Sequence, residues 1–169
     1  MSNTIKFVDA SHMREMFHKL YKAYSEELSQ YSVSLLNEPM TEELIDERYF
    51  YDVQLNKYFI ETDNKTIGFI ILQYVDTYFG VTSPVWYIVE FYIVPEYRRK
   101  GYGEAAFGFF LDFYKKDFFY YVLKENLSAK RFWERMTRSF NLKEIYRPDL
   151  EKEDDLEIET HAFEVSIKE

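Results

Sequence analysis

The feature that most constrains this chain is an apolar strand that runs into a basic turn and then into a helix. The strand ends near Val94, the turn carries Arg98, Arg99 and Lys100, and the segment Gly101-Tyr102-Gly103 follows directly. Glycine tolerates positive φ and lets a ligand approach the backbone closely. A helix N-terminus adds unpaired N–H groups and a partial positive charge. The pattern therefore predicts an anion site suited to a phosphate or pyrophosphate.

Length and composition narrow the class of protein. With 169 residues, of which 47% are hydrophobic, the chain predicts one domain over residues 1–169 with a hydrophobic core. A net charge of −9 argues against nucleic-acid partners. The absence of cysteine excludes disulfides, thiolate metal sites and a cysteine nucleophile. His12, His18 and His161 show no metal-ligand spacing. No signal peptide or membrane-spanning run is visible, so we expect no membrane partner and a cytoplasmic location.

Hydrophobic periodicity predicts alternating strands and helices in one α+β domain. Ser11 is expected to cap the first helix, whose apolar face includes Met13 and Met16, and Thr41 to open the second. The predicted helices span residues 11–29, 41–49, 103–115 and, from a cap at Asn126 or Ser128, to 138. The predicted strands span residues 3–8, 57–61, 66–74 (a hairpin turning at Asp63-Asn64), 85–94, 118–123, 142–146 and 157–167.

Three interpretations compete for the glycine-containing loop. It fits a purely structural turn less well, because three consecutive cations have no evident structural role there. The pattern Gly101-x-Gly103-x-x-Ala106 formally matches a dinucleotide fingerprint. Residues 95–100, however, separate it from the strand, and the chain is short for a doubly wound sheet. A nucleotide P-loop is excluded because Gly-Lys-Ser/Thr is absent.

The third interpretation comes from a resemblance. Arg98-x-x-Gly101-x-Gly103 after a Val-Pro strand end resembles the acyl-CoA loop of the GNAT superfamily of N-acetyltransferases. Asn126-x-x-Ala129-x-x-Phe132-Trp133 is similar to that superfamily's segment after the fifth strand, and the order of elements matches throughout. The resemblance implies a three-layer α+β domain. Its mixed, mostly antiparallel sheet would be flanked by helices and contain a splayed central strand pair.

The resemblance also implies acetyl-CoA as co-substrate and direct transfer without an acyl-enzyme. The pantetheine arm would pair with backbone along Phe91–Val94, and an N–H near Val94 would polarise the thioester carbonyl. The pyrophosphate would lie on N–H groups from Arg99 to Glu104. The residues implied in cofactor binding are Phe91, Tyr92, Ile93, Val94, Arg98, Arg99, Lys100, Gly101, Tyr102, Gly103, Glu104, Asn126, Ala129, Phe132 and Trp133.

Glu90 and Trp133 are the candidate catalytic residues. Glu90 is the only carboxyl group in the central strand, and a cleft carboxylate with a raised pKa can take a proton from an amine. Its alternative role is an ion pair, and its orientation depends on whether a bulge interrupts the strand. Trp133 occupies the position where many members carry a proton-donating tyrosine, and indole supplies no proton. Trp133 and Phe132 alternatively belong to the helix core, and Asn126 alternatively acts only as an N-cap.

The expected acceptor is a primary amine on a small molecule or peptide, and its identity is left open. Its contacts would come from residues 31–39 and 146–156, where an acidic run at 149–155 either is a solvated loop or attracts cations. A homodimer is also left open. Two alternatives remain: a non-catalytic acyl-CoA-binding or regulatory domain, and a structural protein without a ligand.

Overall fold

One mixed sheet organises the molecule, which a computed structural model describes over residues 4–31, 40–76, 84–146 and 157–165. Within these residues seven strands follow the order β1-β2-β3-β4-β5-β7-β6. The strands are β1 (Lys6–Asp9), β2 (Leu55–Thr62), β3 (Lys65–Val75), β4 (Val85–Ile93), β5 (Phe118–Leu123), β6 (Lys143–Ile145) and β7 (Ile158–Glu164). The helices are α1 (Arg14–Ser29), α2 (Glu42–Tyr49), α3 (Tyr102–Tyr114) and α4 (Leu127–Ser139). The predicted α+β fold is confirmed.

Two helix caps and one turn form where the sequence predicted them. The Thr41 hydroxyl accepts the Leu44 N–H at 3.2 Å and caps α2. The turn between β2 and β3 is formed by Asp63 and Asn64, with φ of 48° and 59°, a region that short polar side chains tolerate. Asn126 caps α4 through a 3.0 Å bond from the N–H group three residues ahead.

The predicted start of the first helix is wrong. The helix begins at Arg14, and Met13 in the cap position makes no side-chain hydrogen bond. The Asp9 carboxylate instead accepts the Ser11 N–H at 2.9 Å, which closes a local turn and delays the helix. The resulting helical phase leaves Met16, expected on the buried face, 43% exposed.

Helices cover both faces of the sheet and give the domain two cores. The first lies under α3 and α4, and the second lies under α1 and α2. Fully buried members of the first include Phe107, Phe110 and Phe118, and those of the second include Phe17, Ile45, Phe59 and Phe69. The aromatic richness of the sequence is therefore used mainly in packing.

A β-bulge in β4 changes the direction of its side chains. Adjacent residues of β3 pair with Ile88 and Glu90, so Val89 is an extra residue in β4. Ile88 and Phe91 pack on the α3–α4 side, whereas Val89 packs on the α1–α2 side. Glu90 also faces α1 and α2, where it meets their side chains. Without the bulge, Val89 and Glu90 would point to opposite faces.

The same strand separates from its parallel neighbour. β4 pairs with β5 at Trp86–Phe118, Tyr87–Phe119 and Ile88–Tyr120. β4 continues to Ile93, however, and the later residues of β5 pair with β7 instead. The C-terminal half of β4 thus borders a gap in the sheet. The splayed central strand pair that the family resemblance implied is therefore present.

Candidate active site

The loop after β4 ends in a helix N-terminus whose first N–H groups have no side-chain cap. Gly101 occupies the cap position with φ of 84°, and Arg99 also has positive φ, 58°. The first helical bond runs from the Ala105 N–H to the Gly101 carbonyl at 2.9 Å. The N–H groups of residues 102–104 precede this bond, and Gly101 has no side chain to accept from them. This arrangement can bind an anion through backbone donors and the helix dipole.

Two of the three loop cations make intramolecular contacts, which contradicts the premise that these cations have no structural role. The Arg98 guanidinium forms two bonds of 2.6 and 2.7 Å with the Glu27 carboxylate on α1, and its Nε donates to the Ile93 carbonyl at 2.7 Å. Lys100 Nζ donates to the Glu96 carbonyl at 2.7 Å. Arg98 therefore links α1 to the end of β4. Its two bonds to the Glu27 carboxylate have the bidentate geometry that arginine favours.

Backbone alternation determines which groups of β4 face the gap. The Val94 N–H donates to the Ile67 carbonyl of β3 at 2.9 Å, so it is not available to polarise a thioester. In an antiparallel pair, consecutive residues direct their N–H and C=O groups to opposite sides. The N–H groups of Phe91 and Ile93 therefore face away from β3, toward the gap. The bond from Arg98 to the Ile93 carbonyl agrees with this direction.

A cleft of about 650 Å³ connects this gap with the loop. It is bordered by the end of β4, the loop, the first turns of α3 and α4, and two turns of α1. Its lining includes Tyr24, Glu27, Phe91, Tyr92, Ile93, Arg98, Arg99, Gly101, Gly103, Glu104, Asn126, Ala129, Phe132 and Trp133. The structure thus brings together most of the residues that the sequence predicted for one ligand.

Gly103 allows a close contact between α3 and α4, two of the helices that border the cleft. A Cβ atom at this position would lie 3.0 Å from the Phe132 ring and 3.8 Å from Ile93. The Phe132 ring in turn stacks on Phe91, with ring centroids 5.5 Å apart. Gly103 therefore has a packing role as well as a place at the helix N-terminus, and any larger residue there must displace the ring.

Glu90 lies in a cage of three tyrosine hydroxyls. Tyr24 Oη donates to Glu90 Oε2 at 2.5 Å, and Tyr49 Oη donates to Oε1 at 2.8 Å. Tyr21 Oη is 3.3 Å from the same Oε1 but only 2.6 Å from the Tyr49 hydroxyl. Each hydroxyl has one proton, so the shorter distances favour Tyr21 donating to Tyr49, which donates to Glu90.

Hydroxyl groups are the hydrogen-bond partners of Glu90 among the described residues, and Arg48 on α2 adds a positive charge nearby. Burial raises the pKa of Glu90, and the surrounding tyrosine hydroxyls and the positive charge of Arg48 partly offset that rise. Burial and the nearby Glu90 charge raise the pKa of Tyr24 well above its ordinary value. Glu90 is thus a half-buried residue whose carboxyl group has enhanced proton affinity among three tyrosine hydroxyls and near the Arg48 guanidinium.

Trp133 is a core residue that also borders the cleft. It is 9% exposed, and its ring stacks on Tyr120 with centroids 4.1 Å apart. Phe107 and Phe91 contact it at 5.4 and 5.7 Å. The core alternative considered for this residue therefore describes its packing, and Asn126 likewise fulfils its N-cap role while lining the cleft.

Sequence reasoning missed the helix residues that complete the site. Periodicity places Tyr21 and Tyr24 on the apolar face of α1 without a polar partner, and it does not single out Glu27 or Tyr49. One general rule could have linked these residues: buried tyrosine hydroxyls and a carboxylate on a central strand both need hydrogen-bond partners, and here they are partners of one another.

Two further cations line the cleft from α4. Arg131 and Arg135 both border it and lie four residues apart on the helix. This spacing places them on one face of α4, so they add positive charge to the part of the cleft that α4 borders.

The histidines lie outside the cleft, and the described residues include neither a metal-binding group nor a membrane-spanning helix. His18 contacts Asp46 at 2.7 Å, and His161 contacts Glu144 at 2.5 Å, both away from the cleft. Among the described residues no group of three His, Asp or Glu side chains is arranged to hold a metal ion. In the same part of the chain, no helix has the length and apolar character needed to cross a bilayer.

Comparison with known proteins identifies the family. Residues 15–137 match the model of the acetyltransferase (GNAT) family, and the chain belongs to this family. Solved acetyltransferases share its fold. The acetyltransferase from Thermus thermophilus has a TM-score of 0.64 at 12% identity and covers 95% of this chain and 97% of its own.

Two further structures have acceptors in their names. The ribosomal-protein-S18-alanine N-acetyltransferase of Escherichia coli has a TM-score of 0.56 at 18% identity and covers 98% of this chain and 95% of its own. An aminoglycoside acetyltransferase from an uncultured soil metagenomic sample, in complex with sisomicin, has a TM-score of 0.57 at 15% identity. The match covers 90% of this chain and 92% of that acetyltransferase. No curated protein sequence matches this chain.

Proposed function

We propose that this acetyltransferase moves an acetyl group from acetyl-CoA to a primary amine by direct transfer. The observation that carries the proposal is the position of the sheet gap, which leads through one cleft to a helix N-terminus without a side-chain cap. A flexible chain that ends in a pyrophosphate fits this combination. The chain would follow the gap, and the anion would lie on the backbone donors.

Each part of the donor then has a matching group. The Phe91 and Ile93 N–H groups face the gap and supply backbone donors to the pantetheine amides and the thioester carbonyl, in place of Val94. N–H groups from residues 99–104 receive the pyrophosphate, and Arg99, whose side chain is exposed, adds positive charge. Arg98 contributes by holding α1 and the loop together, since its guanidinium is already paired.

The chemistry of the acceptor side rests on Glu90. An ammonium group cannot attack a thioester, so the bound amine must first lose a proton. A caged carboxyl group whose pKa is raised by burial is suited to accept it. No equivalent proton donor exists at Trp133, and the departing thiol, with an ordinary pKa of about 8.5, leaves at neutral pH without one.

We propose the class of primary amines for the acceptor. The two structural relatives named above are named for different acceptors, an aminoglycoside and an alanine of ribosomal protein S18, and at 15% and 18% identity they support the fold alone. Apart from Tyr31 and Tyr146, the segments expected to contact the acceptor, residues 31–39 and 146–156, lie outside the described residues, as does the acidic run.

A matched pair of charge reversals tests the donor site. Arg99 and Lys115 are both exposed cations with positive φ, at opposite ends of α3. Aspartate tolerates this backbone conformation, so Arg99→Asp and Lys115→Asp make the same change of charge with similar strain. Calorimetry with CoA should show at least a tenfold loss of affinity, about 1.4 kcal/mol, for Arg99→Asp only. Equal affinities in the two folded variants would overturn the loop assignment.

Turnover separates catalysis from mere binding. Thiol release is measured with acetyl-CoA and four probe amines: spermidine, benzylamine, sisomicin and a tripeptide that begins with alanine. Amine-dependent release supports the transferase. Tight CoA binding without release for all four would favour the non-catalytic acyl-CoA-binding domain, and absence of any CoA binding would favour the ligand-free structural protein.

A further inference from the structure

We infer that the Tyr24 hydroxyl is the group that receives the proton of the acceptor amine and passes its own proton to Glu90. The inference rests on the proposed function and adds a catalytic residue to it. Tyr24 contacts Glu90 and also lines the cleft in which the thioester would lie. Among the residues that surround Glu90, it is therefore the one that joins the carboxylate to the reaction space.

The two oxygens of Glu90 are not equivalent. Oε1 accepts from Tyr49 at 2.8 Å, and the Tyr49 hydroxyl is in turn 2.6 Å from that of Tyr21, so this oxygen is joined to hydroxyl groups on the side of the helices. Oε2 has Tyr24 as its hydrogen-bond partner at 2.5 Å among the described residues. Among the described residues that line the cleft, Tyr24 is present and Tyr21 and Tyr49 are not. Oε2 is therefore the oxygen that a hydroxyl group joins to the cleft.

Packing fixes the Tyr24 ring in the orientation that a relay needs. The ring contacts Tyr92 and Phe69 with centroids 5.2 and 5.6 Å apart. One helical turn further along α1, Glu27 is held by Arg98 of the loop. The helix is thus anchored on both sides of the tyrosine, to the strand that carries Glu90 and to the loop proposed to hold the pyrophosphate.

The proton balance of the step closes without any other reactant. The ammonium group gives one proton to Tyr24 Oη as the Tyr24 proton moves to Glu90 Oε2, so no phenolate forms. The amine lone pair then forms the C–N bond while the C–S bond of the thioester breaks. The sulfur takes the second amine proton, and Glu90 releases the first to solvent. A phenol oxygen can accept and donate at once, which this transfer requires.

Tyr24→Phe and Tyr49→Phe test the relay as a matched pair. Each removes one hydroxyl bonded to Glu90, but only Tyr24 lines the cleft. With the fastest of the four probe amines and saturating acetyl-CoA, we expect kcat of Tyr24→Phe to fall about 100-fold at neutral pH. Its rate should then rise with pH as free amine forms. Tyr49→Phe removes a hydrogen bond that favours the ionised form of Glu90 but leaves the Tyr24 hydroxyl in place, so its plateau should fall much less than that of Tyr24→Phe, and the acid limb of its pH profile should shift upward.

The outcomes distinguish the relay from the proposed function. Equal plateaus for Tyr24→Phe and wild type, or equal losses in both variants, would overturn the relay and leave the transferase standing. Failure of the wild-type protein to acetylate any probe amine would overturn both. If Tyr24→Phe does not fold, a crystal of the wild type with CoA and the best probe amine decides. The amine nitrogen within hydrogen-bond distance of Tyr24 Oη supports the relay, and direct contact with Glu90 alone refutes it.

Discussion

Replacing Glu90 with glutamine removes the charge of the caged carboxyl group and keeps its shape. Tyr49 can still donate to the amide oxygen, and the Tyr24 hydroxyl can turn to accept from the amide nitrogen. The Tyr49 contact of 2.8 Å can therefore persist, while the Tyr24 contact of 2.5 Å lengthens slightly to the usual range of an N–H···O bond. The variant loses proton acceptance and little else, so its rate reports on the proton-transfer step.

The expected magnitude follows from the acceptor. An alkylamine with a pKa near 10.4 is about one part in 2,500 free base at pH 7, and removal of a general base typically costs about 10²–10⁴ in rate. We expect kcat of Glu90→Gln to fall about 10²- to 10³-fold at pH 7 with saturating amine. Each further pH unit should restore about tenfold, because free amine becomes available.

The loss of kcat and its recovery with pH are measured by thiol release over about pH 6–9. Glu61→Gln in β2 is the control, because it changes a carboxyl group that does not line the cleft. CoA affinity should stay unchanged in both variants. A Glu90→Gln enzyme with wild-type kcat at neutral pH would refute the reasoning. It would leave Glu90 as a structural member of the tyrosine cage.

Stability gives an independent check of the same group. Burial raises the pKa of Glu90 in the folded state, so the folded protein binds this proton more tightly than the unfolded chain. The contribution of Glu90 to stability is therefore largest below its unfolded pKa and falls as pH rises toward its folded pKa. Glu90→Gln should gain free energy of unfolding relative to wild type over that interval, as measured by denaturant titration at several pH values. A constant difference would contradict the raised pKa.

Three further changes test the packing around the cleft. Trp133→Phe removes the ring stacked on Tyr120 and should lower the free energy of unfolding by about 1–3 kcal/mol with kcat nearly unchanged; a thousandfold loss of rate would instead make the indole catalytic. Glu27→Gln weakens the partly exposed pair with Arg98. It should cost about 1 kcal/mol in denaturant titration and lower CoA affinity in calorimetry, and unchanged values would show that α1 needs no such anchor. Gly68→Ala would place a Cβ atom 2.0 Å from a carbonyl oxygen of β4; we expect a strongly lowered Tm, and a wild-type Tm would contradict the strand register.

Local interactions explain why much of the fold was predictable. The Thr41 cap, the Asp63-Asn64 turn and the Asn126 cap each depend on a side chain and backbone groups a few residues away. The order of strands and helices follows from periodicity in the same way. The loop with Gly101 is recognisable because a positive φ at a helix N-terminus is also a local requirement.

Tertiary structure decided the orientation and partners of the chemical groups. A bulge at Val89, which depends on the register with β3, turns Glu90 toward α1 and α2. Its hydroxyl partners come from residues 41 to 69 positions away, and no local pattern encodes such pairings. The sequence pattern favours Arg98 as a phosphate ligand, but the fold brings Glu27 against it.

The sequence by itself thus determined which residues could do chemistry and roughly where the chain turns, because these properties depend on side-chain type and on nearby backbone. Only the tertiary structure decided which carboxyl group meets which hydroxyl, which loop cation is already paired, and which N–H groups of β4 face the gap. Those outcomes depend on strand register and helix packing, which set distances between residues far apart in the chain.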